Sequence, residues 1–175
     1  DPQVAANPAN RCYYCKQNIF GNIWRAARAD GFTVLLDGTN ASDQAGDRPG
    51  MKALQELQVR SPLREAGLTK AMIREKSREA GLFTWNKPAY ACLATRIPTG
   101  VTITEEDLAR TEWAESYLMN LGFSDFRVRL LGTCARVQLP ENQMDKFMEQ
   151  REMILAALKT RYSGVLLDLE ARNGQ

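Results

Sequence analysis

Three cysteines stand at spacings that suit metal or sulfur chemistry. Cys12 and Cys15 form a C-x2-C pair in "NRCYYCKQNIF", and Cys92 lies far along the chain in "YACLATRIPTG". A C-x2-C pair can bring two thiolates to one metal, as zinc and iron–sulfur sites both require. A redox disulfide is the simplest alternative, but the pair does not follow a strand in a thioredoxin-like βαβ setting.

The fourth cysteine decides between two kinds of metal site. Cys134 lies in "GTCARVQL", where it would share a strand face with Arg136 and pack as a small, partly buried residue. Three ligands then remain, and three suit a [4Fe–4S] cluster with one open iron, able to bind sulfide, better than a closed zinc site. If Cys134 is instead a ligand, four cysteines predict a zinc-stapled module without catalysis.

Composition excludes several function classes. The chain has 175 residues, a net charge of +2 and no histidine, so no imidazole can ligate metal or act as a general base. The weak net charge argues against a nucleic-acid partner. No apolar run is long enough to span a membrane, and the N-terminus does not resemble a secretory signal. We therefore expect a cytoplasmic protein with reduced cysteines.

Arginines form a second candidate site. In "FRVRL", the apolar residues point to one side of a strand, while Arg127 and Arg129 point to the other. Two guanidinium groups on one face can bind phosphate or carboxylate in bidentate fashion, although a solvated strand face is the ordinary alternative. Arg96 follows Cys92 by four residues and could bring positive charge to the sulfur chemistry.

The loop "DGTNASDQAGDRPG" is a third candidate site, because it follows the predicted strand "FTVLLD". In open α/β sheets, ligands bind at the carboxyl ends of the strands, where carboxylates can hold Mg²⁺ beside phosphates. Asp and Asn also form ordinary turns, so both interpretations stay open. The candidate nucleotide and Mg²⁺ residues are Asp37, Asn40, Asp43 and Arg48.

Hydrophobic periodicity predicts an α/β protein in three parts. Residues 1–82 should contain helices over 11–30, 51–57 and 69–80 and the buried strand "FTVLLD". Residues 83–100 read as an irregular linker that carries Cys92 and Arg96. Residues 101–175 predict a small α+β domain of αββαβ order with antiparallel character.

The ordered segments resemble a known family. The segments "NPANRCYYCK", "DGTNASD", "RSPL", "ACLATRIPTG", "GFSDFRVR" and "LDLEARNG" occur in the order seen in the LarE family of ATP-dependent sulfur transferases. That family belongs to the PP-loop ATP pyrophosphatases, and the resemblance covers almost the whole chain. It implies that residues 1–82 are the C-terminal part of a Rossmann-like PP-loop domain.

The resemblance implies a reaction and a set of site residues. Members thiolate the carboxylates of pyridinium-3,5-biscarboxylic acid mononucleotide on the way to the nickel-pincer cofactor of lactate racemase. ATP adenylates each carboxylate, and sulfur displaces AMP. Members with one cysteine sacrifice its sulfur, whereas three-cysteine members bind a [4Fe–4S] cluster, which here implies Cys12, Cys15 and Cys92. The implied substrate residues are Arg96, Glu115, Arg127, Arg129 and Arg172, and members form hexamers.

One departure from the family pattern limits this implication. The Ser-Gly-Gly-rich PP-loop that cradles pyrophosphate does not occur in these 175 residues. We therefore expect this polypeptide alone not to use ATP, and we expect any ATP and Mg²⁺ role to belong to a longer parent. The alternatives are a cluster-dependent tRNA thiolation enzyme, the zinc-stapled module, and an oligomerisation fragment without activity.

Overall fold

The computed structural model describes residues 1–43 and 49–172. The chain divides into two compact units, residues 1–87 and residues 88–175. The division falls inside the segment 83–100 that the sequence predicts as a linker. The mixed helix and strand content confirms the α/β class in its coarse form. In the described part of the chain, no helix combines the length and apolar character that crossing a membrane requires.

The first unit is built on helices α1 (Pro2–Ala5), α2 (Arg11–Ala29), α3 (Pro49–Glu56), α4 (Pro62–Glu65) and α5 (Lys70–Glu79). Helix α2 packs against α3, where the buried Trp24 donates its indole N–H to the carbonyl of Leu57 at 2.7 Å. The side chain of Thr69 caps α5, and Gly81 follows that helix with φ +69°, as the sequence predicts.

The predicted buried strand "FTVLLD" is wrong in this structure. The segment is extended but forms a single parallel bridge, from Leu36 to Arg60. Its apolar side chains are largely exposed, with Phe32 at 63%, Val34 at 54% and Leu36 at 55%. A continuous apolar strand is buried only when neighbouring strands and helices cover both of its faces. The described residues of this unit supply one bridge and do not cover those faces.

The second unit contains α6 (Glu105–Asn120), β1 (Arg127–Leu131), β2 (Cys134–Gln138), α7 (Met144–Glu149), α8 (Arg151–Leu158) and β3 (Val165–Leu167). Strand β1 pairs antiparallel with β2, and β3 adds to β2 in parallel. The predicted antiparallel character therefore holds for one of the two pairings. The predicted αββαβ order places one helix between β2 and β3, but the structure has two, because Gln150 interrupts the helix with φ −99° and ψ 9°.

The alternation in "FRVRLLG" and "CARVQL" sets the two faces of this sheet. Val128, Leu130, Ala135 and Val137 point into a core that α6, α7 and α8 cover. Gly132, at φ +58°, makes the two-residue turn between β1 and β2 that the sequence predicts. The opposite face carries the polar side chains of both strands, so the fold itself gathers the arginines there.

Candidate functional site

Cys92 is exposed in a loop of the second unit. It immediately precedes a 3₁₀ turn, Leu93–Arg96, and its carbonyl accepts hydrogen bonds from the Thr95 N–H at 2.9 Å and the Thr95 hydroxyl at 2.7 Å. This geometry fixes the backbone at Cys92 while the thiol remains accessible to a partner.

Arg96 and Glu115 form a fully buried ion pair behind this loop. The Nε and Nη2 atoms of Arg96 donate to the two carboxylate oxygens of Glu115 at 2.6 and 3.1 Å, and both side chains are 0% exposed. The Val128 N–H also donates to Glu115 at 2.9 Å. A buried pair is tolerable only when its hydrogen bonds are satisfied, as they are here. The carboxylate of Glu115 is therefore turned toward the protein interior, whereas the resemblance implies a position at the substrate.

Tyr90 covers the Arg96 guanidinium from the loop side, with 5.4 Å between the ring centroid and the guanidinium carbon. Burial raises the pKa of Tyr90 to about 12, and its hydrogen bond to Glu115 contributes in the same direction. Tyr90 is therefore a neutral phenol at physiological pH. No sequence pattern singles it out, because it lies in an irregular segment.

Arg127 and Arg129 lie on one strand face, as the sequence predicts, but both are committed to the protein. Arg127 is buried and donates to the carbonyls of Phe126 at 2.6 Å and Ala89 at 2.9 Å. Arg129 donates to the carbonyl of Thr95 and to the side-chain oxygen of Gln138, each at 2.6 Å. Both arginines therefore touch the loop that carries Cys92, or the turn that follows it.

Positive charge is concentrated on this face of the sheet. Burial lowers the pKa of Arg127 and of Arg129, and the nearby charges of Arg172 and Arg96 lower both further. Both arginines nevertheless stay protonated at physiological pH. Cations crowded at a partly buried position are typical of sites that receive an anion.

Arg172 and Arg136 extend the arginine face, and each has its own carboxylate partner. Arg172 donates to the backbone carbonyl of Asp125 at 2.9 Å and to its carboxylate at 3.2 Å. Arg136 pairs in register with Arg129 across the two strands and donates to Asp168. Arg136 was not predicted as a site residue, although its alternation with Cys134 indicates that both lie on this strand face.

Cys12 and Cys15 lie three residues apart in the first two turns of α2, where neither forms a disulfide. This spacing places both thiols on one side of the helix, which suits two ligands of one metal centre. Within residues 1–43 and 49–172, no three carboxylates or thiols form a group that could hold a metal ion. The proposed third ligand, Cys92, belongs to the other unit, so the three-cysteine cluster stays a prediction.

Cys134 packs as a half-buried residue. Its sulfur lies 3.4 Å from the Ser163 hydroxyl, and a Cβ at Gly164 would approach that sulfur to 3.1 Å. Cys134 pairs with Leu131, the last residue of β1. Arg127, which contacts the Cys92 loop, is the first residue of that strand. These contacts favour packing over metal ligation.

The predicted nucleotide loop is held by hydrogen bonds, some within the loop and one from Ser61. Burial raises the pKa of Asp37, but hydrogen bonds from the Ser61 and Thr39 hydroxyls, at 2.6 and 2.5 Å, outweigh it and lower that pKa overall. Asp43 accepts from the Asn40 N–H at 3.0 Å. The two local contacts, from Thr39 to Asp37 and from Asn40 to Asp43, are typical of the turn-forming alternative. Arg48 lies outside the described residues.

Three known proteins are similar to this chain over almost its whole length, and one of them has a named function. The chain is 39% identical over 173 residues to an uncharacterized protein of Synechocystis, and 30% identical over 169 residues to one of Methanocaldococcus jannaschii. It is 36% identical over 172 residues to the pyridinium-3,5-bisthiocarboxylic acid mononucleotide synthase of Lactiplantibacillus plantarum. Each alignment covers 96–97% of this chain but 62–66% of the relative. No protein-family model matches the chain.

Proposed function

We propose that the chain belongs to the LarE family and carries the sulfur-transfer part of a synthase that makes thiocarboxylates on a pyridinium mononucleotide. The observation that carries this proposal is the exposed Cys92 held beside a face of converging arginines. The similarity to a synthase named for this product supports it. This function also agrees with the absence of histidine, because sulfur transfer from a thiolate or sulfide needs no imidazole.

The arginine face suits the proposed substrate. A mononucleotide with two ring carboxylates presents a phosphate and two carboxylates, all of which guanidinium groups bind through paired hydrogen bonds. Arg136 and Arg172 are less buried than Arg96 and Arg127, so they are the groups best placed to reach a ligand. Arg96, Arg127 and Arg129 would then contribute positive charge and hold the loop that carries Cys92.

The proposed reaction has two steps, adenylation and sulfur transfer, and the sulfur-transfer step takes place at Cys92 and the arginine face. A substrate carboxylate oxygen attacks the α-phosphorus of ATP, and pyrophosphate leaves. Sulfur then forms a bond to the acyl carbon, the bond from that carbon to the AMP oxygen breaks, and AMP leaves. The proposed Mg²⁺ and nucleotide contacts of the first step are Asp37, Asn40, Asp43 and Arg48.

The proposed sulfur source depends on Cys12, Cys15 and Cys92. Their donor chemistry fits a [4Fe–4S] cluster with one iron left open, which would supply sulfide when bound. We further propose that the enzyme is a hexamer, as the resemblance implies, and that it is cytoplasmic. The zinc-stapled alternative requires Cys134 as fourth ligand. Cys134 instead packs beside Ser163, and it pairs with Leu131 at the end of β1 that is distant from Arg127, which disfavours that role.

Metal analysis on anaerobically prepared chain tests the cluster proposal. We expect about four iron and four sulfide per chain, because three thiolates suit a cubane cluster. Cys92→Ser should lose most of this iron, and the matched variant Cys134→Ser should retain it. Stoichiometric zinc without sulfide, lost equally in both variants, would instead establish the zinc-stapled module.

A preformed acyl adenylate of pyridinium-3,5-biscarboxylic acid mononucleotide tests sulfur transfer without ATP. The reconstituted chain should release AMP and form one thiocarboxylate per turnover, detected by mass spectrometry. Cys92→Ser should form none. Equal thiocarboxylate formation by Cys92→Ser would contradict the proposal, and so would release of AMP with carboxylate as the only product.

A further inference from the structure

The Cys92 loop, residues 89–96, has little apolar packing to hold it in place. From Ala89 to Cys92 every residue is exposed, and the first buried side chain is that of Arg96. A segment that buries so little apolar surface is normally mobile unless polar contacts fix its backbone. The backbone of this loop is therefore held by hydrogen bonds.

Guanidinium groups hold both ends of the loop. At its start, Arg127 donates to the Ala89 carbonyl at 2.9 Å, and at its end Arg129 donates to the Thr95 carbonyl at 2.6 Å. Both donors lie on β1, whose other face is packed into the core of the unit. The two ends of the loop are thus fixed to a rigid strand, about 7 Å apart along it.

Thr95 connects these anchors to the cysteine. Its hydroxyl accepts a hydrogen bond from Arg96 Nη1 at 2.8 Å and donates to the Cys92 carbonyl at 2.7 Å. Arg96 is itself locked by Glu115. A continuous chain of hydrogen bonds therefore runs from the buried ion pair, through one hydroxyl, to the backbone of Cys92.

We propose that Thr95 is a positioning residue for Cys92, and that Arg127 and Arg129 serve first as anchors of the Cys92 loop rather than as direct substrate ligands. The role of Cys92 in this inference rests on the proposed function, whereas the ordering of the loop does not. Sulfur transfer needs the sulfur close to the acyl carbon, and a misplacement of about 1 Å can cost roughly 10²-fold in rate.

Thr95→Val and Thr95→Ser are the matched pair for testing this inference. Valine keeps the shape but removes the hydroxyl, so both hydrogen bonds of the hydroxyl are lost. Serine keeps the hydroxyl and loses only the methyl group. A structural role for the methyl group would damage both variants, whereas a positioning hydroxyl predicts that serine rescues.

Hydrogen exchange measured by mass spectrometry reads loop order without any activity. In the 175-residue chain, Thr95→Val should speed exchange in a peptide covering 89–97 by about three- to tenfold, the effect of losing one or two hydrogen bonds. Thr95→Ser should stay near wild type. Peptides from β1 should be unchanged in both, which shows that the unit stays folded. Unchanged exchange in Thr95→Val, or equal acceleration in both variants, would overturn the inference.

Single-turnover sulfur transfer with the preformed acyl adenylate gives the functional readout. Thr95→Val should lower the rate at saturating substrate by about 10²-fold while the substrate concentration for half-maximal rate stays unchanged. Thr95→Ser should restore most of the rate. A wild type that transfers no sulfur would refute the proposed function but leave the exchange result standing. A loosened loop with full transfer rate would refute the positioning role alone.

Discussion

The two units stabilise their charged and apolar groups in different ways. In the second unit, residues from α6, the three strands and both C-terminal helices form one continuous core, and the buried pair of Arg96 and Glu115 is fully hydrogen-bonded. In the described part of the first unit, the buried apolar residues are few and cluster around Trp24 and Leu54. Its most apolar segment, 32–36, stays exposed.

The second unit buries its apolar residues with its own elements, whereas the described part of the first unit leaves its most apolar segment exposed. The second unit covers its own sheet on one face and uses the other face to hold the arginines and the Cys92 loop. In the first unit, the segment 32–36 has the composition of a buried strand but has one bridging partner among the described residues. Apolar surface of this kind contributes stability only when something covers it.

Breaking the buried ion pair should give the largest effect on stability. Glu115→Gln leaves the Arg96 charge in the interior without a compensating carboxylate, and losses of about 3–5 kcal/mol are typical in such cases. Chemical denaturation, followed by hydrogen exchange in peptides of the second unit, measures this loss.

Glu112→Gln is the matched control, because Glu112 is exposed on the same helix. It should change the free energy of unfolding by no more than about 0.5 kcal/mol. Similar losses in the two variants would show that Arg96 finds another partner when Glu115 is neutral, and that the pair is not the central support of the site.

Truncating one leucine in each unit compares their packing directly. Leu118→Ala removes a fully buried side chain from the core of the second unit and should cost about 2–5 kcal/mol. Leu36→Ala removes a side chain that is more than half exposed, so its cost should stay within about 0.5 kcal/mol. Thermal unfolding monitored for each variant measures both values. A large cost at Leu36 in this chain would show that the segment 32–36 is covered after all.

Local sequence rules predicted the parts of the fold that depend on neighbouring residues. The α2 helix, the Thr69 cap of α5 and the hairpin turn at Gly132 follow from periodicity and turn chemistry. The burial of the segment 32–36 was not predicted correctly, because it depends on partners distant in sequence. The break at Gln150 has no Gly or Pro to mark it, so periodicity merges α7 and α8 into one helix.

The candidate site shows the same limit. Alternation in "FRVRL" predicted that Arg127 and Arg129 share one face of β1, which the structure confirms. It could not show that their donors reach the carbonyls of Ala89 and Thr95, because the conformation of an irregular loop has no sequence period. For the same reason Thr95 and Tyr90 were missed.

Tyr90 provides the mildest test, since it probes the ion pair without breaking it. Its pKa of about 12 lies above the ordinary value of 10, so the neutral phenol is favoured in the folded state. Its contribution to stability is therefore fully present below pH 10 and is lost as the pH rises through about 12. Tyr90→Phe should remove this part of the alkaline loss. Ultraviolet titration of phenolate absorbance should then lack one late-ionising tyrosine. Loss of a tyrosine that ionises near pH 10 would instead show that Tyr90 titrates normally and does not cover Arg96.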